Sequence, residues 1–281
     1  CGTVTIIKHT NPGGLNQDFD FTSNLAGSEM VCSTDTTPAS FTLNDATIDT
    51  ETCTNVPIGS YIATEGADPA GFDFNDVTCE VTGSGTGAQD GTIEKQVNIG
   101  INAGGDTVTC TYVNDQVLGA IKITKTSSKT DNVLAGATFS ITSGGAPIAG
   151  SPFTTDANGE ICVEGLVFGD YVVTETGAPP GFVIDDATGH TVNVNNNAAC
   201  DDDPYVGESI GFTDTPTSDI QVRFRDGGSG ETSLSQALSC TNATGTSSPA
   251  DTTGWDDTLT VSGIKIDSNT VTVTCTIVID P

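Results

Sequence analysis

The chain is poor in positive charge. Eight Lys and Arg stand against 37 Asp and Glu in 281 residues, a formal net charge of -29 at pH 7 with His neutral. An exterior this acidic excludes a nucleic-acid interface on electrostatic grounds and disfavours anionic membrane surfaces. Three readings of the acidity stay open: a solvated, self-repelling exterior, adaptation to high salt, or capture of cations such as calcium. Histidine is scarce too, with only His9 and His190, each isolated in the sequence. No Cys-x-x-Cys occurs either, so the nine cysteines fit disulfides better than zinc. No run of about twenty apolar residues is found, and none of the segments reads as a transmembrane helix. Amphipathic helical periodicity is missing throughout. Also missing are Gly-x-Ser-x-Gly and any Cys-His arrangement of the kind used by proteases and esterases. Gly227-Gly-Ser-Gly230 is followed by no Lys-Ser/Thr pair and no helix start, so it reads as a turn and not a phosphate cradle. The chain is therefore not expected to be an enzyme in the ordinary sense, nor to hold a metal centre or need a cofactor, calcium being the one candidate ion.

What is present is β-type sequence. Thirty-three glycines, abundant Thr, Val, Asn and Asp, and short runs alternating apolar with polar predict strands and turns. The length suits two or three domains, each with its own core. Cysteines spread through such sequence point to an oxidising, extracellular location, and a start at Cys1 without an initiator Met reads as a mature product after signal-peptide removal. Pairing Cys32 with Cys53, Cys79 with Cys110, Cys162 with Cys200 and Cys240 with Cys275 keeps every bridge inside one module, with other pairings open. That scheme leaves Cys1 over, as an intermolecular disulfide partner, a lipid attachment point, or a member of some other pairing.

The same module occurs twice. Gly59-Ser-Tyr61-Ile-Ala-Thr-Glu65-Gly-Ala-Asp-Pro69-Ala-Gly71-Phe72 returns as Gly169-Asp-Tyr171-Val-Val-Thr-Glu175-Thr-Gly-Ala-Pro179-Pro-Gly181-Phe182, with Gly, Tyr, Thr, Glu, Pro, Gly and Phe in register. Each copy opens on a strand-like run with a lysine at the same offset from a glycine, Gly2 to Lys8 and Gly119 to Lys125. The first module spans 1–117 and the second 118–216, with Leu118-Gly119 as the only linker. Gly211-Phe-Thr-Asp214 is expected to close the second module, and Thr215-Pro216-Thr217-Ser218 to break the pattern. In the second module Leu134–Ile141 reads as a strand after a turn. Asn158-Gly159 supplies the positive backbone angles of a tight hairpin. Residues 217–281 contain no copy of the repeated segment. Strands are expected at Ile220–Arg225, Leu259–Ile266 and Thr270–Ile279. So small a β module needs a staple, which Cys240–Cys275 supplies, or a strand from a neighbouring subunit. The long, alternating terminal run reads as an ordinary last strand of its own domain, with a strand donor or exposed edge as the alternative.

Lys, Glu and a later Asn or Asp are the parts of a self-made covalent crosslink. Burial lowers the pKa of a lysine and raises that of a carboxylic acid, which leaves a nucleophilic amine beside a protonated Glu that polarises the attacked carbonyl and moves protons. Lys8 is assigned as nucleophile, Asn114 as acceptor and Glu65 as proton shuttle; in the second copy the set is Lys125, Asp214 and Glu175. Lys122 lies an odd number of residues from Lys125 and so should face the other side of the sheet. The competing reading makes Lys8 and Lys125 surface residues in loose pairs with the two glutamates.

Lys125, Leu134-Ala-Gly-Ala-Thr-Phe139, Thr155-Asp-Ala-Asn-Gly159 and Gly169-x-Tyr171-x-x-Thr-Glu175 followed by Ala178-Pro179-x-Gly-Phe182 together resemble the prealbumin-like B-repeat domains of Gram-positive collagen adhesins and major pilins. The resemblance covers 119–216 and extends to the first module through Val108-Thr-Cys110-Thr-Tyr-Val-Asn114. It implies an all-β fold of tandem prealbumin-like (Ig-like) antiparallel β-sandwiches, here followed by the small C-terminal β module. It also implies an intramolecular isopeptide bond and a mechanical role in stalks or filaments.

Weaker candidates are Asp201-Asp-Asp203 and Asp156 with Asn158 as calcium ligands, each more readily read as a solvated acidic turn, and a glycosylation sequon at Asn242. The expected function is a secreted structural subunit of an extracellular filament or pilus-like fibre, self-associating through the C-terminal module and the N-terminal strand. The alternative is a cell-surface adhesin stalk or ligand-binding module, with its site near Trp255 or the Gly227 loop.

Overall fold

A computed structural model describes residues 1–25, 29–33, 39–223, 235–241, 258–267 and 271–280. Among them there is no helix, and the chain divides into two compact units, Cys1–Leu118 and Gly119–Pro281.

The first unit contains β1 (Gly2–Asn11), β2 (Asp18–Ser23), β3 (Val31–Cys32), β4 (Ser40–Asn44), β5 (Thr50–Val56), β6 (Gly59–Glu65), β7 (Phe72–Thr82), β8 (Thr86–Gln89), β9 (Gln96–Ile101) and β10 (Thr107–Gln116). They form two five-stranded sheets, ordered β3-β5-β1-β10-β7 and β4-β2-β6-β9-β8. Side chains alternate in and out along β1, where Val4 and Ile6 are buried between half-exposed Thr and Ile. Those two pack with Val108 and Tyr112 of the same sheet and with Phe19, Phe21, Leu43, Val97 and Ile99 of the other. Each such burial contributes about 1.5–3 kcal/mol.

The second unit repeats the plan with β11 (Leu118–Ser127), β12 (Thr138–Ser143), β13 (Ala146–Pro147), β14 (Phe153–Thr154), β15 (Glu160–Val167), β16 (Gly169–Gly177), β17 (Phe182–Ile184), β18 (His190–Val194) and β19 (Glu208–Arg223). One sheet runs β15-β11-β19-β17 and the other β13-β12-β16-β18, with β14 alongside β12. One pairing in each sandwich is parallel, its first strand against its last: β1 against β10 and β11 against β19.

The repeated segment has a structural reason residue by residue. Tyr61, Ala63 and Glu65 point inward from β6, as Tyr171, Val173 and Glu175 do from β16. Each tyrosine hydroxyl donates to the carbonyl four residues back, Pro57 at 2.9 Å and Val167 at 2.8 Å, clasping the strand's entry. Each Pro-x-Gly-Phe closes a turn in which the Phe amide donates to the Pro carbonyl and the glycine takes a positive φ of 83° or 85°. Strand β2 has no sequence copy in the second unit, yet its register identifies it as the counterpart of β12. Phe21 sits opposite Glu65 as Phe139 sits opposite Glu175.

One boundary differs from expectation. Asp214 does not close the second module, because β19 continues through Thr215-Pro216-Thr217-Ser218 to Arg223. Pro216 is tolerated because it marks a change of partner. Up to Pro216 the strand pairs with β17, and from Thr217 onward with β21 (Thr258–Lys265), after β20 (Ser235–Cys240). Its carbonyl accepts from Ile266, so only the missing N–H distinguishes it from an ordinary strand residue. The 216/217 boundary thus falls inside a strand. The terminal run is not left free as a donor: β22 (Cys275–Asp280) pairs with β20 of its own chain. Leu238, Val261 and Ile264 form a small core there.

Disulfides join Cys32–Cys53, Cys79–Cys110, Cys162–Cys200 and Cys240–Cys275. Three of them connect directly opposed residues of antiparallel pairs. Loops of this size make each bridge worth about 3–4 kcal/mol in the chain-entropy account. Cys1 is free and exposed.

The Asn158-Gly159 turn uses positive φ at Gly159 alone, at 71°. Its carbonyl accepts the Lys125 amide at 2.8 Å, and a Cβ there would lie 2.7 Å from the Lys125 carbonyl oxygen. Gly159→Ala is therefore expected to destabilise the second unit by about 1 kcal/mol or more, seen as a lowered melting temperature.

Candidate functional site

Parallel pairing of first and last strands creates the site. In the first unit Lys8 is registered with Tyr112 and Thr10 with Asn114, so Lys8 and Asn114 point to the same inward side from neighbouring strands. Lys125 and Asp214 repeat this, Lys125 registered with Phe212 and Ser127 with Asp214. The facing sheet contributes Glu65 from β6 and Glu175 from β16. All six side chains are buried, the two lysines, Asn114 and Asp214 completely. That excludes the reading of Lys8 and Lys125 as loosely paired surface residues. Lys122 faces the other way, its ammonium over the Tyr205 ring.

In the first unit Lys8 Nζ donates to Asn114 Oδ1 at 2.5 Å, and Asn114 Nδ2 donates to Glu65 Oε1 at 2.7 Å. Glu65 Oε2 is 3.8 Å from Lys8 Nζ and has no hydrogen-bond partner. Glu65 therefore spans the amine and the amide nitrogen; the expected position beside the attacked carbonyl oxygen is taken by Lys8. Burial draws the Lys8 amine down to about 8 despite the nearby negative charge of Glu65. Burial likewise raises the Glu65 carboxyl, against the opposing pull of Lys8 and the Asn114 hydrogen bond. Phe19 covers the amine with its ring centroid 4.1 Å away.

In the second unit Lys125 Nζ contacts Glu175 Oε2 at 2.7 Å and Asp214 Oδ1 at 2.6 Å. Glu175 Oε1 and Asp214 Oδ2 are buried without a partner. Two carboxyls sharing one lysine in an apolar core cannot both stay ionised cheaply. Burial, reinforced by Asp214, pushes Glu175 up to about 7 although Lys125 opposes it. The backbone N–H of Asp185 adds a donor to Asp214 Oδ1 at 3.3 Å. Each trio thus places an amine against a carboxyl-type carbon with an acid alongside, the arrangement amide formation requires.

Other sequence candidates fare differently. The histidines are not isolated: His9 Nδ1 meets Asp45 Oδ1 and His190 Nε2 meets Asp186 Oδ2, both at 2.9 Å. Asp45 and Asp49 cluster with His9, but Asp45 already binds the Thr10 and Gly14 amides and the Thr10 hydroxyl. Asp156 accepts the amides of Asn158 and Glu160, and Asp202 that of Ala199, so both carboxylates fasten turns. Asn242, Trp255 and the Gly227–Gly230 loop lie outside the described residues. Sequence reasoning missed Asp68, whose Oδ1 accepts from Asn114 Nδ2 at 2.9 Å. The signal was there, because Asp68 faces Ala178 in the in-register segments.

Family models described as prealbumin-like fold domains match residues 4–116, as the SpaA_4 type, and 119–203, as the SpaA type. The chain carries two prealbumin-like fold domains of the SpaA type. Among solved structures it is similar to the Bacillus anthracis TIE protein, at 19% identity and a TM-score of 0.54, over 93% of this chain and 43% of that one. It is also similar to a streptococcal ancillary pilin, at 20% identity and a TM-score of 0.30, over 76% of this chain and 62% of that one. The shaft pilin SpaA of Lactobacillus rhamnosus GG matches at 19% identity and a TM-score of 0.28, over 76% of this chain and 97% of that one. Likeness at such identity speaks to fold alone. No curated protein sequence matches the chain. Among the described residues no helix is long and apolar enough to cross a membrane.

Lys125→Met leaves the two carboxyls of the second unit without their cation. A loss of roughly 3 kcal/mol or more is expected. The remaining stability should fall as pH rises above the ordinary carboxylate range, since burial and Asp214 raise the Glu175 carboxyl and the variant loses the lysine that opposed them. Thermal unfolding across that range measures both effects.

Proposed function

We propose that the chain is a load-bearing subunit of an extracellular filament or pilus-like fibre, stabilised by self-made Lys8–Asn114 and Lys125–Asp214 isopeptide bonds and by its disulfides. The observation that carries this reading is the recurrence of one buried Lys–Glu–Asn/Asp trio, in both units, across the pair formed by first and last strands. A repeated structural need explains that placement; turnover of an external substrate does not, since every reacting atom is sealed from solvent.

In the first unit the neutral Lys8 amine attacks Asn114 Cγ. The new C–N bond forms as one amine proton passes to Glu65 and the proton of Glu65 passes to Nδ2, which leaves as ammonia. In the second unit Lys125 attacks the protonated Asp214 carboxyl and water leaves, with Glu175 relaying the proton. This also removes one unpartnered buried oxygen, of a kind that costs about 1–3 kcal/mol. The chemistry calls for no cofactor. Glu65 and Glu175 act once each, on their own chain. Once closed, the links forbid extension of the chain between the joined strands, which suits a fibre under tension or proteolysis. Exposed Cys1 and the C-terminal β module are the proposed subunit contacts, since the expected N-terminal strand lies between β5 and β10 with both edges paired.

An adhesin stalk within a longer surface protein is the second reading. It is favoured by the TIE protein match, in which this chain spans under half of its counterpart. The intact mass of the reduced chain tests the crosslinks: a deficit of one ammonia plus one water is expected, and the unaltered sequence mass rules out both. Glu65→Gln and Glu175→Gln should each slow the link in their own unit by roughly 10²-fold or more. Light scattering separates the two readings, with growth upon concentration expected of a filament subunit and a monodisperse monomer of a stalk.

A further inference from the structure

The two trios differ at one corner. In the first unit the two hydrogens of Asn114 Nδ2 go to two carboxyls, Glu65 Oε1 at 2.7 Å and Asp68 Oδ1 at 2.9 Å. The other Asp68 oxygen pairs with Lys95 Nζ at 2.6 Å. Unlike the fully buried Lys8 and Asn114, these two side chains reach solvent, Asp68 with 27% and Lys95 with 21% of its surface exposed. Asp68 is thus the group that touches both the amide nitrogen and the outside.

The corresponding positions of the second unit hold no such pair. The in-register segments put Ala178 where the first unit has Asp68. Strand registers fix the other position: Ala63 pairs with Val97 and Val173 with His190, so two residues earlier Lys95 corresponds to Thr188. The acceptor there is Asp214, which carries no amide nitrogen. The Asp–Lys pair is present where the leaving group is ammonia and absent where it is water.

We propose that Asp68, held by Lys95, is a positioning residue for the Lys8–Asn114 link, orienting the Asn114 amide and receiving the ammonia as it leaves. The inference rests on the crosslink reading given above. Accepting from Nδ2 fixes the amide with its oxygen toward Lys8 and its nitrogen toward the acids, the orientation in which the Glu65 proton reaches the leaving atom. When Cγ–Nδ2 breaks, ammonia departs neutral, its nitrogen carrying the proton from Glu65. It stays hydrogen-bonded to Asp68 on a route that opens to water, where it takes a further proton from solvent.

The test follows both links over time in full-length chain made by cell-free synthesis, quantified as crosslinked peptides by mass spectrometry. Asp68→Asn and Asp68→Ala should slow the Lys8–Asn114 link by roughly tenfold or more while the Lys125–Asp214 link forms at its usual rate in the same sample. Asp68→Asn keeps the shape, and closure of Cys79–Cys110 confirms that the first unit has folded. The decisive arm is Asn114→Asp. With no ammonia to release and a third carboxyl crowding the site, Asp68→Ala should then accelerate the link relative to Asn114→Asp alone. A merely structural Asp68 would cost the same in both backgrounds, and that outcome overturns the proposal. So do wild-type rates in Asp68→Asn and Asp68→Ala. A wild-type chain with no Lys8–Asn114 peptide at all instead removes the crosslink reading itself.

Discussion

Everything about the candidate site depends on one pairing, the parallel contact between the first and last strands of each sandwich. Parallel neighbours need a long crossover, and here the rest of the module serves as that crossover. The chain enters at one end of the sheet and leaves at the other, so a pull on the two ends shears β1 against β10, or β11 against β19. Side-chain alternation then does the rest. A lysine on the inward side of the first strand meets an inward residue of the last strand, two positions past the registered one. The facing sheet is what brings a glutamate within reach.

Such a site is costly to fold. A buried lysine and one or two buried carboxyls lose hydration that a few hydrogen bonds only partly restore. Three carboxyl oxygens remain without partners. The strain is borne by dense cores on either side, with Phe19, Phe21 and Tyr112 around one trio and Phe139 and Phe212 beside the other. Disulfides add to that reserve without touching the reacting groups.

Much of this was legible in the sequence, because the repeated segment consists of residues with narrow geometric tasks. Tyr61 and Tyr171 clasp a backbone carbonyl, Gly71 and Gly181 need positive φ, and Glu65 and Glu175 fall on the inward alternation. Such tasks tolerate few substitutes, so both copies spell them alike. Strand β2 was opaque for the opposite reason. Its job is to fill volume, and Phe19 and Phe21 do that against Phe72 and Phe41 where the second unit uses Ala137 and Phe139. Pro216 misled because its effect depends on which side of the strand needs a donor. Asp45 was hidden because its partner, His9, comes from a strand distant in sequence, whereas Asp68 was marked only by a mismatch, Asp68 against Ala178, between the repeated segments.

The unbroken run of β19 past Asp214 bears on design as well as on strength. With Lys8 joined to Asn114 and Lys125 to Asp214, a pull on the chain would travel through Gly2–Lys8, Asn114–Lys125 and the stretch beyond Asp214, bypassing residues 9–113 and 126–213. Those two long detours would be mechanically idle. Their loops are then free to drift in sequence, or to acquire a binding role, without weakening the strand of chain that carries the force.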